Sequence, residues 1–381
     1  MKNSSEKHRL EQHIMAQKMT IIMVEAVIAM ILLTVPVVFS DDLAPIPAAK
    51  AQVKAWFQAN VKPLADRKAT LDPALATAEA TPKVIKVMQD GSGEFKTVAD
   101  AIKSVPAGNT NRVIISIGPG KYNEKLRIDK TKKFVTLYGD PKALPTLVFD
   151  GTSAKFGTVE SATLIVEADY FTAVNIIFLN SAPRPIGKKM GGQATAFRIS
   201  GDKAALYNCQ MRGFQDTHLD DTGKHFFKDC YIEGTVDFIY GRGQSIYLNN
   251  EIHVVPGDNE AMITAQARES EADNSAFVFA HCTVTGSGGT TVLGRAWRPY
   301  SRVIFAYTEM SNVITPEGWS NNLHPEFDKT LYYGEFKNTG PGADPAKRAP
   351  FTKQLAQADA QKFLSLGFIE GSKWLLPPHS V

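Results

Sequence analysis

From residue 111 onward the chain alternates short apolar runs with polar turn clusters. The runs read VIISI, KFVTLYG, TLVFDG, TLIVEA, FTAVNIIFLN, TAFRIS, AALYNCQMRG, KHFFKDCYIEG, SIYLNN, AFVFAHCTVTG and RVIFAYTEM. Runs of this length, rich in β-branched and aromatic residues and bounded by turn formers, predict strands. No helical pattern lies between them, which argues against an alternating strand–helix sheet. Upstream, VIKV at 84–87 predicts a strand that enters a turn at Asp90-Gly91-Ser92-Gly93. Phe95, Val98, Ile102 and Val105 then recur at helical spacing, and Pro106 and Gly108 end that helix.

The strands repeat. YNCQMRGFQDT (207–217) aligns with KDCYIEGTVDF (228–238) at an offset of 21 residues, so Cys209 meets Cys230, Gly213 meets Gly234 and Asp216 meets Asp237. HCTVTG (281–286) echoes the pattern. A strand repeat of about 20 residues predicts an all-β parallel solenoid whose coils stack at the inter-strand spacing. The helix near residue 100 would cap the open first coil. Cys209 and Cys230 would be stacked neighbours, as buried apolar thiols or as a disulfide.

Composition narrows the class. Hydrophobic residues are 44% and charged residues 21%, which excludes a disordered chain and a multi-span membrane protein. Forty-two basic against 39 acidic residues leave +3, so nothing points to nucleic acid. Three cysteines cannot form a disulfide scaffold. Residues 1–18 are polar and basic, 19–39 mostly apolar with Glu25 inside, and the uninterrupted apolar part is Ala26–Val35. That length suits a secretory signal cut before Asp41, with an uncleaved anchor as the alternative. The three expected segments are therefore a signal peptide or anchor (1–40), an Ala- and Pro-rich extension with a short helix at Val53–Asn60 (41–82), and a catalytic solenoid domain (83–381). The N-x-[ST] triplet Asn3-Ser4-Ser5 falls in the first, so no N-glycan is expected on the mature chain.

The repeat also has a chemical consequence. Asp216 and Asp237 occupy equivalent places in successive coils, so outward-pointing carboxylates would lie side by side. Such a pair splits its acidities into one proton holder and one nucleophile or base; the plainer reading is two turn aspartates capping backbone amides. Gln193 precedes Gln215 by 22 residues, about one coil, and Gln215 adjoins Asp216. Two amides beside two carboxylates can stabilise an oxyanion, or can simply ladder along the solenoid. Arg295 and Trp297 share a strand face, where charge and ring suit an acidic sugar or pack against each other. The histidines lack metal-ligand spacing, and no G-x-S-x-G elbow is present, so no cofactor, no metal and no serine esterase is expected.

Five segments in order, GKYNE (120–124), QATAF (193–197), GFQDTH (213–218), DFIYGR (237–242) and LGRAW (293–297), resemble the plant pectin methylesterases over about residues 83–378. The Ala of LGRAW and the APIPA-like extension are similar to the pollen-type subgroup, which includes pollen allergens. The resemblance implies a right-handed parallel β-helix with a short C-terminal helical segment. It implies hydrolysis of galacturonate methyl esters in pectin, with Asp237 as nucleophile, Asp216 as proton donor and acceptor, and Gln215 and Gln193 as oxyanion stabilisers. Thr163, Gln193, Arg295 and Trp297 would contact substrate, with Phe238, Tyr240 and Trp319 as further groove aromatics. It also implies a secreted, monomeric cell-wall enzyme acting on homogalacturonan, with a proteinaceous pectinesterase inhibitor as a further partner, no nucleic acid, and no membrane after signal removal. The 42 residues between leader and solenoid are too few for the inhibitor-like pro-domain of many relatives. The chain departs from the family's Leu at His218, its Phe at Tyr240 and its Asn or small residue at Arg242. His218 is expected to move the pH optimum, and Arg242 to favour de-esterified stretches. The alternatives are a β-helix hydrolase or lyase, and an impaired wall-binding relative.

Overall fold

In a computed structural model of the protein the described residues are 41–381, except Lys68 and the stretches 187–189, 257–259 and 288–289. The expected signal peptide or anchor, residues 1–40, lies outside them. The strands form three parallel sheets of eleven, eight and eight strands, the middle coils giving one strand to each and the end coils adding only to the longest. The pairing bears out the 21-residue repeat: Phe197 pairs with His218, and His218 with Ile239. The architecture is a right-handed parallel β-helix.

The corner after each strand of the long sheet explains the turn residues. Asn175, Asn208, Asp229, Asn249, His281, Tyr307 and Lys337 follow successive strands, and each has φ between 49° and 60°. One left-handed residue per coil makes the bend, and Asn and Asp tolerate that conformation best. The amides also bond along the column, Asn208 Nδ2 to Asn175 Oδ1 at 2.8 Å and Asn249 Nδ2 to Asp229 Oδ1 at 2.7 Å.

Inside the coils Phe227, Tyr247, Phe279 and Phe305 stack in sequence, with centroids 4.4–4.5 Å apart. Each such pair adds about 0.5–1.5 kcal/mol beyond its burial. Cys209, Cys230 and Cys282 line the interior as free thiols. Burial pushes Cys209 and Cys282 up to about 12, so they are unreactive core residues rather than redox groups. The helix Val98–Ser104, capped by the Thr97 hydroxyl accepting from the Asp100 amide, buries Val98, Ala101 and Ile102 in the same core and closes the first coil.

Residues 42–82 do more than extend the chain. With the C-terminal segment 355–376 they cover the outer face of the long sheet. Phe57, on the expected helix Val53–Asn60, stacks on Phe226 at 5.9 Å, and the Ile46 amide donates to the Leu364 carbonyl at 2.7 Å. The site lies on one of the two eight-stranded sheets, not on this covered one.

Candidate active site

The strands His218–Asp220, Ile239–Gly241 and Thr291–Arg295 lie in one eight-stranded sheet. Asp216 and Asp237 each stand two residues before their strand, one coil apart, and the Asp216 amide donates to the Val236 carbonyl at 3.0 Å. Both hold left-handed backbone, φ 62° and 51°. That conformation aims the two side chains away from the pleat, and it disfavours larger residues there. Both are nearly buried, at 8% and 5% exposure.

Their environments differ. Arg295 reaches back along the sheet and forks onto Asp237: Nε donates to Oδ1 at 2.7 Å and Nη2 to Oδ2. No cation binds Asp216 among the described residues. Burial, and then the negative charge of Asp237, push Asp216 well above the usual carboxylate range. Burial also raises Asp237, but the guanidinium fork offsets it, so Asp237 is the carboxylate that ionises first. The pair is therefore asymmetric, and Asp216 keeps its proton to the higher pH.

Gln193 and Gln215 stand beside this pair, both half-buried. The Ala194 amide donates to the Gln215 carbonyl at 3.1 Å, which fixes the two segments in adjacent coils. Among the described residues neither side-chain amide makes a hydrogen bond, and Gln193 Oε1 is buried without a partner. Trp297 is half exposed and lies under the Arg295 guanidinium, 5.5 Å from its centroid. Tyr240 sits on the outward row next to Asp216, and its hydroxyl pairs with Thr195 Oγ1 at 2.8 Å.

Four sequence-derived expectations are corrected. Thr163 is fully buried and donates to the Leu179 carbonyl at 2.8 Å, so its side chain supports the coil and does not reach a ligand. Phe238 is fully buried in the interior core. Trp319 is also interior: it stacks on Tyr333 at 4.3 Å and donates to Glu335 Oε1 at 3.0 Å. His218 adjoins the site in sequence but points inward, because the strand alternation that begins there turns it to the core. It packs on Phe197 and against Phe227, and burial lowers it to about 4. It is therefore neutral at any pH where a shifted optimum would be read.

His218 carries a stability consequence instead. Its folded value lies below the unfolded one, so the unfolded chain binds a proton that the native state refuses. Stability is thus lost as pH falls from about 6.5 towards 4, by up to about 3 kcal/mol. Its Nε2 is also buried without a partner. His218→Leu is expected to unfold at higher urea than wild type at pH 5, with the gap narrowing at pH 8 and the pH–rate profile unmoved. A variant less stable than wild type at pH 5 would overturn this reading.

Arg242, just past the end of its strand, is shared between Glu269 at 3.8 Å and Asp273 at 4.0 Å, which weakens its case as a reader of acidic stretches. Sequence reasoning missed Asn322. Ser320 pairs with Arg295 across the sheet, and two residues on Asn322 Oδ1 accepts from Arg295 Nη1 at 3.1 Å. Only the fold brings positions 237, 295 and 322 together, so no local pattern announces this contact.

Two unequal carboxyl groups beside two unbonded amides, on a parallel β-helix, suit carboxylic ester hydrolysis. A family model described as Pectinesterase matches residues 84–372. Pectinesterase 2 of Olea europaea is 57% identical over 95% of this chain and 99% of its own, and a pectinesterase of Parthenium hysterophorus is equally similar. Among solved structures, the pectin methylesterase from carrot superposes with a TM-score of 0.73 at 31% identity, covering 79% of this chain and 98% of that one. A pectin methylesterase solved in complex with a hexasaccharide superposes at 0.66 with 26% identity, over 78% of this chain and 99% of its own. The chain belongs to the pectinesterase family, as the five segments suggested.

Proposed function

We propose that this protein hydrolyses methyl esters of galacturonate units in homogalacturonan with Asp237 as nucleophile, acting in the plant cell wall after secretion as a monomer. The observation that carries the reading is the asymmetric carboxyl pair: Asp237 is clamped by Arg295, while Asp216 has no cation among the described residues and is raised by burial. Asp237 attacks the ester carbonyl and forms a C–O bond, and the carbonyl π pair moves to oxygen. The amides of Gln193 and Gln215, unused in the free protein, donate to that oxyanion. Asp216 gives its proton to the departing methoxide, which leaves as methanol, and an anhydride joins substrate to Asp237. Asp216, now a carboxylate, takes a proton from water, whose oxygen attacks the substrate carbonyl of the anhydride. The free galacturonate leaves, and both aspartates return to their starting states.

The test is to follow methanol, reducing ends and unsaturated ends together on highly methylated homogalacturonan. Methanol alone is expected. Reducing ends would assign a hydrolase and unsaturated ends a lyase, and either would overturn the reading.

Asn322 acts through Arg295 and is a positioning residue. Its loss frees one guanidinium nitrogen, and a hydrogen bond to a charged group is worth about 1.5–3 kcal/mol at most. Asn322→Ala is expected to lower kcat about five- to thirtyfold with little change in KM, and Asn322→Asp to restore most of it. An unchanged kcat in Asn322→Ala would remove Asn322 from the site.

A further inference from the structure

Two large open clefts flank the turns that lead from the site sheet to the long sheet, and they differ in charge. One, of about 710 Å³, is lined by two basic and three acidic side chains, and its cations are paired, Lys224 with Glu370 at 3.0 Å and Arg242 with Glu269 at 3.8 Å. The other, of about 790 Å³, is lined by five basic and two acidic side chains. Four of the five, Arg268, Arg302, Lys329 and Lys353, have no carboxylate within ion-pair distance among the described residues.

The two arginines are the unusual members. Among the described residues Arg268 donates only to the carbonyls of Glu271, Asp273 and Tyr300, and Arg302 only to those of Ser275 and Asp273. Backbone carbonyls orient a guanidinium without cancelling its charge. Arg268 is buried, and Arg302 is lowered to about 10, by burial first and then by the charge of Arg268 beside it. Asp273 and Glu271 offset part of this charge without pairing with either guanidinium, and two arginines held close together with the lysines still favour an anion there. Tyr300 and Tyr332 add ring faces on the same wall.

The cleft is also joined to the reaction centre. The turn that starts at Arg295 ends at Arg302, and the turn that carries Asn322 runs on to Lys329. Each ester hydrolysed on a polymer replaces a neutral group by a carboxylate. We infer that the cleft of Arg268, Arg302, Lys329 and Lys353 is a second binding site, for the de-esterified, polyanionic stretch of the same galacturonan chain. This rests on the proposed activity for the identity of the polymer. A chain whose product stretch is held there stays near Asp237 for further turnovers, so demethylation proceeds in blocks.

The test uses the purified full chain and a long, fully de-esterified oligogalacturonate, titrated by calorimetry at low and high ionic strength. Lys329→Gln/Lys353→Gln removes two exposed cations and touches neither the catalytic residues nor the core. Wild type is expected to bind, more weakly at high salt. The double variant is expected to bind about five- to tenfold more weakly. Its methanol release from a short methyl-esterified oligomer is expected to match wild type, while its product from long pectin becomes less blockwise. Equal affinity in the double variant and wild type, or the same loss in a control pair of exposed lysines far away, Lys103→Gln/Lys130→Gln, would overturn the inference. Absence of methanol from every protein on the short oligomer would instead sink the proposed activity, since the titration does not depend on turnover.

Discussion

Asp237→Asn is expected to abolish methanol release from methylated homogalacturonan, by about 10⁴-fold or more in kcat. The amide keeps the shape and one acceptor for Arg295, so the protein folds and binds substrate. It cannot supply the electron pair that makes the anhydride. Asp216→Asn is expected to cost less, about 10²- to 10⁴-fold, because a proton donor is removed but the nucleophile remains. The two variants also separate by pH. The proposed mechanism needs Asp237 ionised and Asp216 protonated, so the wild-type profile is expected to fall on the acid side as Asp237 gains a proton. It falls on the alkaline side as Asp216 loses one, and since burial and the charge of Asp237 raise Asp216, that limb lies above the ordinary carboxylate range. Residual activity in Asp216→Asn should lack the alkaline limb. A limb of unchanged position would assign it to another group, and measurable turnover in Asp237→Asn at all pH values would place the nucleophile elsewhere.

The features that a solenoid repeats along its length were legible in the sequence. The offset of 21 residues between Cys209 and Cys230 is the coil itself, and it set Asp216 beside Asp237 before any coordinate was known. Arg295 was readable from its segment, but its pairing with Trp297 does not come from strand alternation: the strand ends at Arg295 and Trp297 meets the guanidinium from the bend that follows. Failure began where side-chain direction depends on where a strand starts. Phe238 and His218 lie one and two residues beyond the paired aspartates, but the left-handed turn at each aspartate resets the alternation and sends the next side chains inward. Trp319 misled because an aromatic near the end of a site strand looks the same from sequence whether it faces the groove or the core. Its partners, Tyr333 and Glu335, lie a coil further on. The covering role of residues 42–82 was illegible for a related reason: its contacts, such as Phe57 on Phe226, join parts of the chain with no shared pattern.

The same blindness hid a buried ionic network under the site, and the largest stability effect is expected there. Asp220, the inward residue after Leu219, accepts from the Tyr247 hydroxyl at 2.7 Å and lies 2.5 Å from His225 Nδ1. His225 Nε2 faces the Gly201 carbonyl at 3.0 Å, which can only accept, so that nitrogen carries a proton. With the carboxylate on the other nitrogen, the ring is an imidazolium. Burial opposes charge on both groups, but each outweighs it for the other: Asp220 lies below its ordinary value and His225 above its own. His225→Leu leaves Asp220 buried without its cation and is expected to cost about 3–5 kcal/mol. The raised His225 contributes stability that is complete below about pH 6.5 and lost as pH rises through its folded value. The lowered Asp220 contributes stability that is complete above about pH 4 and lost as pH falls through its folded value. The pair is thus fully effective between about pH 4 and 6.5. Urea unfolding of wild type and His225→Leu should show the widest gap near pH 5.5 and a smaller one near pH 9. A gap of constant size across that range would mean that neither group changes its proton count on unfolding there, and would overturn the lowered Asp220 and raised His225.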